Sequence, residues 1–156
     1  MLFLILTGVL FNLIAFFIPK RMSDLEIITT TLFSMVLELL VDMYLDVKFD
    51  MFGYFTKGVN WGFLIYVFGV YPAINITFLN FFPYNKSLVR KYCYIVGWSV
   101  FAVIFELLFI WTKTFYYNGW KLWYSALCYP ALYVTLVLFD KYTLYLIKKV
   151  QQKTHP

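Results

Sequence analysis

The chain has 156 residues, of which 63% are hydrophobic and only 13% are charged. Soluble globular proteins contain about 45–50% apolar and about 25% charged residues, so this composition excludes an ordinary soluble domain. The formal net charge is +5, but the basic residues stand in ones to threes between apolar runs, which argues against a nucleic-acid partner. We therefore predict an all-α integral membrane bundle whose main partner is the lipid bilayer.

The apolar runs predict five transmembrane helices, at about residues 2–18, 24–45, 61–79, 92–111 and 122–139. The first run lacks a basic segment before it and a small-residue cleavage site after it, so we expect a retained helix and not a signal peptide. Ser23 and Glu26 have the spacing of a capping box at the start of the second helix. Pro83 stops the third helix, and Pro130 is expected to kink the fifth.

Lysine and arginine residues in the connections set the predicted orientation. If five helices alternate in direction, one side of the membrane carries Lys20, Arg21, Lys86, Arg90, Lys91, Lys141, Lys148, Lys149 and Lys153. The other side carries only Lys48, Lys57, Lys113 and Lys121. The positive-inside rule then places the N-terminus outside and the C-terminus in the cytoplasm. We predict one transmembrane domain over residues 1–145 and a basic cytoplasmic tail over residues 146–156.

Four acidic residues, Glu38, Asp42, Asp46 and Asp50, recur at i, i+4 spacing along the second helix and beyond it. This spacing places side chains on one helix face, where like charges repel each other. Glu106 interrupts the fourth helix at about the depth of Glu38, because each precedes an aromatic residue at the outer end of its helix. Ionisable residues inside a membrane face the protein interior. We therefore predict that Glu38, Asp42 and Glu106 face one cavity near the outer surface.

Three interpretations of these carboxylates remain open. The leading one is a non-enzymatic site for a cation, a proton or a small polar ligand, with no cofactor and with Glu38, Asp42, Asp46 and Glu106 as candidate ligands. In the second, the Asp-x-x-x-Asp spacing of Asp42, Asp46 and Asp50 holds Mg²⁺ in an enzyme that acts on a lipid or isoprenoid diphosphate. In the third, the carboxylates are structural and the protein assembles with other membrane proteins as a subunit of a larger complex.

A short sequence pattern recurs as Tyr71-Pro72-Ala73 in the third helix and Tyr129-Pro130-Ala131 in the fifth. Each copy follows an outer connection that contains Gly and Trp, and each is preceded by a helix with a glutamate near its outer end. Parallel repeats in transporters form sites at the repeat interface. A true repeat would place the kinked helices and both glutamates, Glu38 and Glu106, around one outward-facing cavity. A chance match in an aromatic-rich chain explains the pattern equally well.

The chain contains five further motifs: Ile18-Pro19-Lys20-Arg21-Met22-Ser23, Tyr44-Leu45-Asp46, Tyr71-Pro72-Ala73-Ile74-Asn75, Phe81-Phe82-Pro83-Tyr84 and Tyr116-Tyr117-Asn118-Gly119-Trp120-Lys121-Leu122-Trp123-Tyr124-Ser125. Together they resemble a family of small, uncharacterised multi-pass membrane proteins of Bacillus and related spore-forming Firmicutes. The resemblance covers most of the chain and implies a protein of the bacterial plasma membrane. It implies no activity, substrate or catalytic residue.

Overall fold

The computed structural model describes residues 1–57 and 61–154, and these residues are mostly helical. Their helices are α1 Leu2–Phe17, α2 Asp24–Lys48, α3 Trp61–Asn80, α4 Leu88–Trp111 and α5 Leu122–Thr154. Two three-residue strands, β1 Phe52–Tyr54 and β2 Phe115–Tyr117, lie in the α2–α3 and α4–α5 connections. The last turn of α2, Met43–Lys48, and a turn inside α3, Tyr66–Val70, are π-helical.

This architecture confirms the predicted all-α membrane bundle. Helices α2 to α5 are each long and apolar enough to cross a membrane. Helix α1 has 16 residues and is about 24 Å long at 1.5 Å per residue, somewhat short of a hydrocarbon core of about 30 Å. Large apolar side chains point outward along the bundle, among them Phe16 and Phe17 on α1 and Trp111 on α4. Such an apolar exterior is favourable only against lipid.

The helix ends follow local sequence chemistry. The predicted capping box is confirmed at the start of α2, where Ser23 N–H donates to Glu26 Oε2 at 2.8 Å and Glu26 N–H donates to Ser23 Oγ at 3.3 Å. Helix α4 begins at Leu88, one turn earlier than predicted. Helix α5 continues to Thr154, far beyond the predicted end at residue 139, because no Pro or Gly follows Pro130 until the chain end. The last two residues of the predicted tail lie outside the described residues.

The helices pack in a simple order. Helix α3 contacts both α1 and α2, while α5 contacts both α2 and α4. One apolar cluster, which includes Leu4, Phe52 and Phe109, fills the end of the bundle that carries the strands. A second cluster, which includes Phe78 and Leu136, fills the opposite end. We call these two ends the strand end and the opposite end.

Strands β1 and β2 pair antiparallel and tie together the two connections at the strand end. The register is Phe52↔Tyr117, Gly53↔Tyr116 and Tyr54↔Phe115, so the pairing is symmetric about its middle residue pair. A Cβ atom at Gly53 would lie 2.5 Å from the Tyr116 hydroxyl, so a larger residue there would require the Tyr116 side chain to move. The strand pair was not predicted from the sequence. Its consequence is that aromatic side chains of both connections reach into the bundle.

Candidate functional site

A cavity of about 180 Å³ lies between α2 and α4 in the half of the bundle near the strands. Its wall is mainly aromatic and aliphatic, with contributions from α2, α3, α4, α5 and both strands. Its polar wall includes the carboxyl groups of Glu38, Asp42 and Glu106 and the amide of Asn75. No lysine or arginine is among the lining residues that the structure describes. The cavity therefore concentrates acidic groups inside a largely apolar enclosure.

Glu106 on α4 is held by three hydroxyl donors. Its Oε1 accepts hydrogen bonds from Tyr117 at 2.5 Å and Ser125 at 2.7 Å, and its Oε2 accepts one from Tyr129 at 2.8 Å. Ser125 Oγ in turn accepts from Trp120 Nε1 at 2.7 Å. Hydrogen bonds to a carboxylate are stronger than those between neutral groups. This buried carboxyl group is thus fixed in place by the strand β2 and by the start of α5.

Asp42 and Glu38 on α2 form the other acidic wall. The Tyr54 hydroxyl lies 3.2 Å from each Asp42 carboxylate oxygen and 3.1 Å from the Tyr71 hydroxyl. Tyr71 also lies close enough to the Glu38 side chain to interact with it electrostatically. Asp42 is buried and Glu38 is half-buried, one helical turn apart. Two tyrosine hydroxyls are therefore shared between the two neighbouring carboxyl groups of Glu38 and Asp42, whereas the single carboxyl group of Glu106 accepts from three donors.

The two acidic walls have the same plan. Tyr54 on β1 and Tyr117 on β2 each reach the carboxyl group of the preceding helix. Tyr71 and Tyr129, each directly before a proline, complete the two networks. The spacing from carboxyl to strand tyrosine is 12 residues in the first half and 11 in the second. The π-helical turn that ends α2 accounts for the extra residue, because such a turn is a one-residue insertion into an α-helix.

Asn75 on α3 is the least satisfied polar group of the cavity. It is 2% exposed, and neither its Oδ1 nor its Nδ2 has a hydrogen-bond partner among the described residues. Leaving a buried polar group unpaired costs about 1–3 kcal/mol. The amide offers one acceptor and two donors to whatever enters the cavity. It is an observation independent of the carboxyl groups that also indicates a polar ligand.

The structure separates the predicted acidic stripe into two parts. Glu38 and Asp42 line the cavity, but Asp46 is not part of the lining and is half-buried at the end of α2. Asp50 lies beyond α2, where it pairs with Lys57 and accepts from Asn118 Nδ2 at 2.9 Å. The hydrogen bond and charge of Asp50 raise the pKa of Lys57. The π-helical turn causes the separation, because i, i+4 spacing keeps side chains on one face only in an α-helix.

Across residues 1–57 and 61–154, no group of three His, Cys, Asp or Glu side chains has the geometry to hold a metal ion. Sequence reasoning missed Tyr54, Asn75, Tyr117 and Ser125 as members of the site. The repeated Tyr-Pro-Ala pattern was a usable signal, because the tyrosine of each copy belongs to a carboxyl network.

No family model, no curated protein and no solved structure matches this chain.

Proposed function

We propose that this chain is a multi-pass protein of the bacterial plasma membrane that binds a small cation in the cavity between α2 and α4. The proposed orientation has the N-terminus outside and the C-terminus in the cytoplasm, so the strand end faces outward. The main support for this proposal is that Glu38, Asp42 and Glu106 border one cavity. The lining residues that the structure describes include no lysine or arginine. Buried carboxylates need a cation, a proton or strong hydrogen bonds to compensate them.

The two acidic walls play different roles in this proposal. Glu106 already accepts three hydroxyl hydrogen bonds, so its wall is structural and shapes the cavity. Glu38 and Asp42 share two tyrosine hydroxyls and keep acceptor capacity for a ligand. Asn75 supplies a neutral oxygen from α3. The ligand therefore contacts α2 and α3, with α4 and α5 closing the cavity behind it.

Size and lining favour a compact cation. An apolar cavity of about 150 Å³ holds a benzene molecule, so about 180 Å³ accommodates a small organic ammonium ion or a partly hydrated metal ion. Aromatic rings such as those of Phe101, Phe105 and Tyr133 line the cavity, and ring faces attract cations. A proton shared between Glu38 and Asp42 would use the same groups. A role as a subunit of a larger complex is compatible with such a site.

The magnesium-dependent enzyme is the weaker interpretation. It requires Asp42, Asp46 and Asp50 to face one cleft, with basic or amide groups opposite to bind a diphosphate. Asp46 lies outside the cavity lining, and Asp50 is engaged by Lys57 and Asn118. No observation at the site specifically favours this enzyme, so we propose binding and not catalysis.

A thermal-shift screen tests the proposal. The purified protein in detergent is titrated separately with sodium, potassium and tetramethylammonium chloride. The ionic strength is held constant throughout each titration. A ligand of the folded state raises stability by about 2.7 kcal/mol at a hundred times its Kd. We expect at least one cation to stabilise the wild type and to lose its effect in Asp42→Asn.

Asp50→Asn is the matched control, because Asp50 carries the same charge outside the cavity. It should respond to the cation as the wild type does. If no cation stabilises the wild type, or if Asp50→Asn abolishes the response as fully as Asp42→Asn does, the cavity is not the binding site.

A further inference from the structure

The face of α2 that packs into the bundle is polar over most of its length. Glu26, Thr30, Ser34 and Asp42 are the buried residues of this helix up to Asp42, and half-buried Glu38 completes their i, i+4 series. At 1.5 Å per residue, the series extends about 24 Å, close to the thickness of the hydrocarbon core of about 30 Å. Ser and Thr are common where transmembrane helices pack, but carboxyl groups are rare inside a membrane. We call these five residues the polar track.

The polar track ends in a second carboxyl site at the opposite end of the bundle. Glu26 is buried there, and its Oε2 accepts hydrogen bonds from Ser23 N–H and Oγ at 2.8 and 2.6 Å. Asp140 of α5 lies within electrostatic range of Glu26 and is only 1% exposed. The Tyr84 hydroxyl donates to Asp140 Oδ2, whereas Asp140 Oδ1 has no partner among the described residues.

This second site lacks a compensating charge. The ion pair that the structure shows within residues 1–57 and 61–154 is Lys57 with Asp50, which lies at the strand end. Hydrogen bonds of the capping box compensate Glu26, whereas Asp140 has one hydroxyl donor and no cationic partner among the described residues. A buried carboxyl group in that position is favourable when a proton or a cation neutralises it. Burial, together with the hydrogen bond to Asp140, raises the pKa of Tyr84, so this hydroxyl stays protonated and keeps donating. Asp140 Oδ1 is thus an acceptor poised for a proton.

Two hydroxyl groups lie between the second site and the cavity. Thr30 Oγ1 donates to the Glu26 carbonyl at 2.7 Å, and Ser34 Oγ donates to the Thr31 carbonyl at 2.8 Å. Each hydroxyl oxygen retains lone pairs that can accept a proton. Side chains one helical turn apart have Cβ atoms about 5–6 Å from each other, so proton transfer along the series requires a water molecule between successive side chains. Ser34 also lines the cavity that contains Glu38 and Asp42, so the series of polar side chains extends from Glu26 to the cavity wall.

We propose that the polar track carries protons between the Glu26–Asp140 site and the cavity carboxyl groups, which makes the protein a proton-conducting pathway across the membrane. Ionisable residues inside membrane proteins mark proton relays and ion pathways. A proton fits better than a metal ion, because Thr30 is fully buried and its side chain offers a single oxygen, which is fewer than a metal ion requires. Each transfer moves one proton from a carboxyl or hydroxyl group to the next oxygen, and no covalent bond between heavy atoms changes. The proposal uses Glu38 and Asp42 as one terminus but does not require that the cavity binds another cation.

Proton flux into proteoliposomes tests this proposal. Vesicles that contain the purified protein and the pH-sensitive dye pyranine are energised by a potassium gradient and valinomycin, and internal pH is followed. We expect the wild type to acidify the lumen faster than protein-free vesicles. Thr30→Val keeps the side-chain shape, removes the hydroxyl and should lower the rate about tenfold or more. Asp140→Asn should lower the rate as well.

Thr29→Val is the matched control. Thr29 is adjacent to Thr30 and also donates to a backbone carbonyl, Leu25 at 2.7 Å, but it is not part of the track. It should conduct like the wild type. Circular dichroism and gel filtration establish that each variant is folded, and Ser34→Ala replaces Thr30→Val if that variant does not fold. Wild-type flux equal to that of empty vesicles overturns the proposal, as does an unchanged rate in folded Thr30→Val. If flux is absent while a cation still stabilises the purified protein, the polar track is wrong and the cavity site stands.

Discussion

Removing the Glu106 carboxyl group should destabilise the bundle strongly, because three hydroxyl donors depend on it. In Glu106→Ala, the buried Ser125 hydroxyl loses its acceptor, at a cost of about 1–3 kcal/mol. Tyr117 and Tyr129 are only half-buried and can turn toward other acceptors, so each contributes the net value of a hydrogen bond, about 1 kcal/mol. We expect a total loss of about 3–5 kcal/mol, partly also from the cavity left by the truncation.

The conservative variant Glu106→Gln separates hydrogen bonding from charge. Its single carbonyl oxygen can still accept from the two donors that meet at Oε1, Tyr117 and Ser125. Only the bond from Tyr129 is lost, so the expected cost is about 1–2 kcal/mol. Reversible unfolding by SDS in mixed micelles measures both variants. Equal stability of Glu106→Ala and Glu106→Gln would refute the reasoning, because the three donors would then contribute nothing.

Three smaller changes check other parts of the structure in the same assay. Ser23→Ala removes the capping box at the start of α2 and should cost about 1 kcal/mol, so wild-type stability would contradict the cap. Tyr54→Phe removes the hydroxyl shared by Asp42 and Tyr71 and should cost about 1–3 kcal/mol, together with weaker cation stabilisation. Asp50→Asn breaks an ion pair whose lysine is exposed, and its stability should stay at the wild-type value.

The sequence predicted the architecture well because membrane spans depend on local composition. Apolar runs, the Ser23 capping box and Pro83 at the end of the third span are all readable without tertiary information. Helix ends in polar segments were less accurate. The extension of α5 through Lys148 and Lys149 depends on helix propensity, which hydropathy does not register.

The site could be predicted only in part. The i, i+4 spacing was sufficient to associate Glu38 with Asp42, and their matched depth associated them with Glu106. Asp46 was predicted as a ligand because it follows the same i, i+4 spacing. The π-helical turn that moves Asp46 off this face cannot be recognised from residue spacing. The role of Asn75 could not be inferred, because its lack of partners is a property of tertiary packing.

The strand pair shows the same limit. The composition of Phe52–Tyr54 and Phe115–Tyr117 also fits aromatic side chains at a membrane interface. Aromatic residues favour strands as well, and only pairing with the partner segment, 61 to 65 residues away in the sequence, decides between the two. Once the strands pair, Tyr54 and Tyr117 are placed at equivalent positions of the two carboxyl networks.

Isothermal titration of the purified protein with tetramethylammonium chloride tests the central claim most directly, since it measures cation binding without reference to stability. We expect saturable binding by the wild type and by Asp50→Asn, and an affinity at least about tenfold lower, or 1.4 kcal/mol, in Asp42→Asn. If the wild type shows no saturable heat with this ion or with sodium and potassium in its place, or if Asp42→Asn binds as tightly as the wild type, the carboxyl groups of the cavity do not form a cation site.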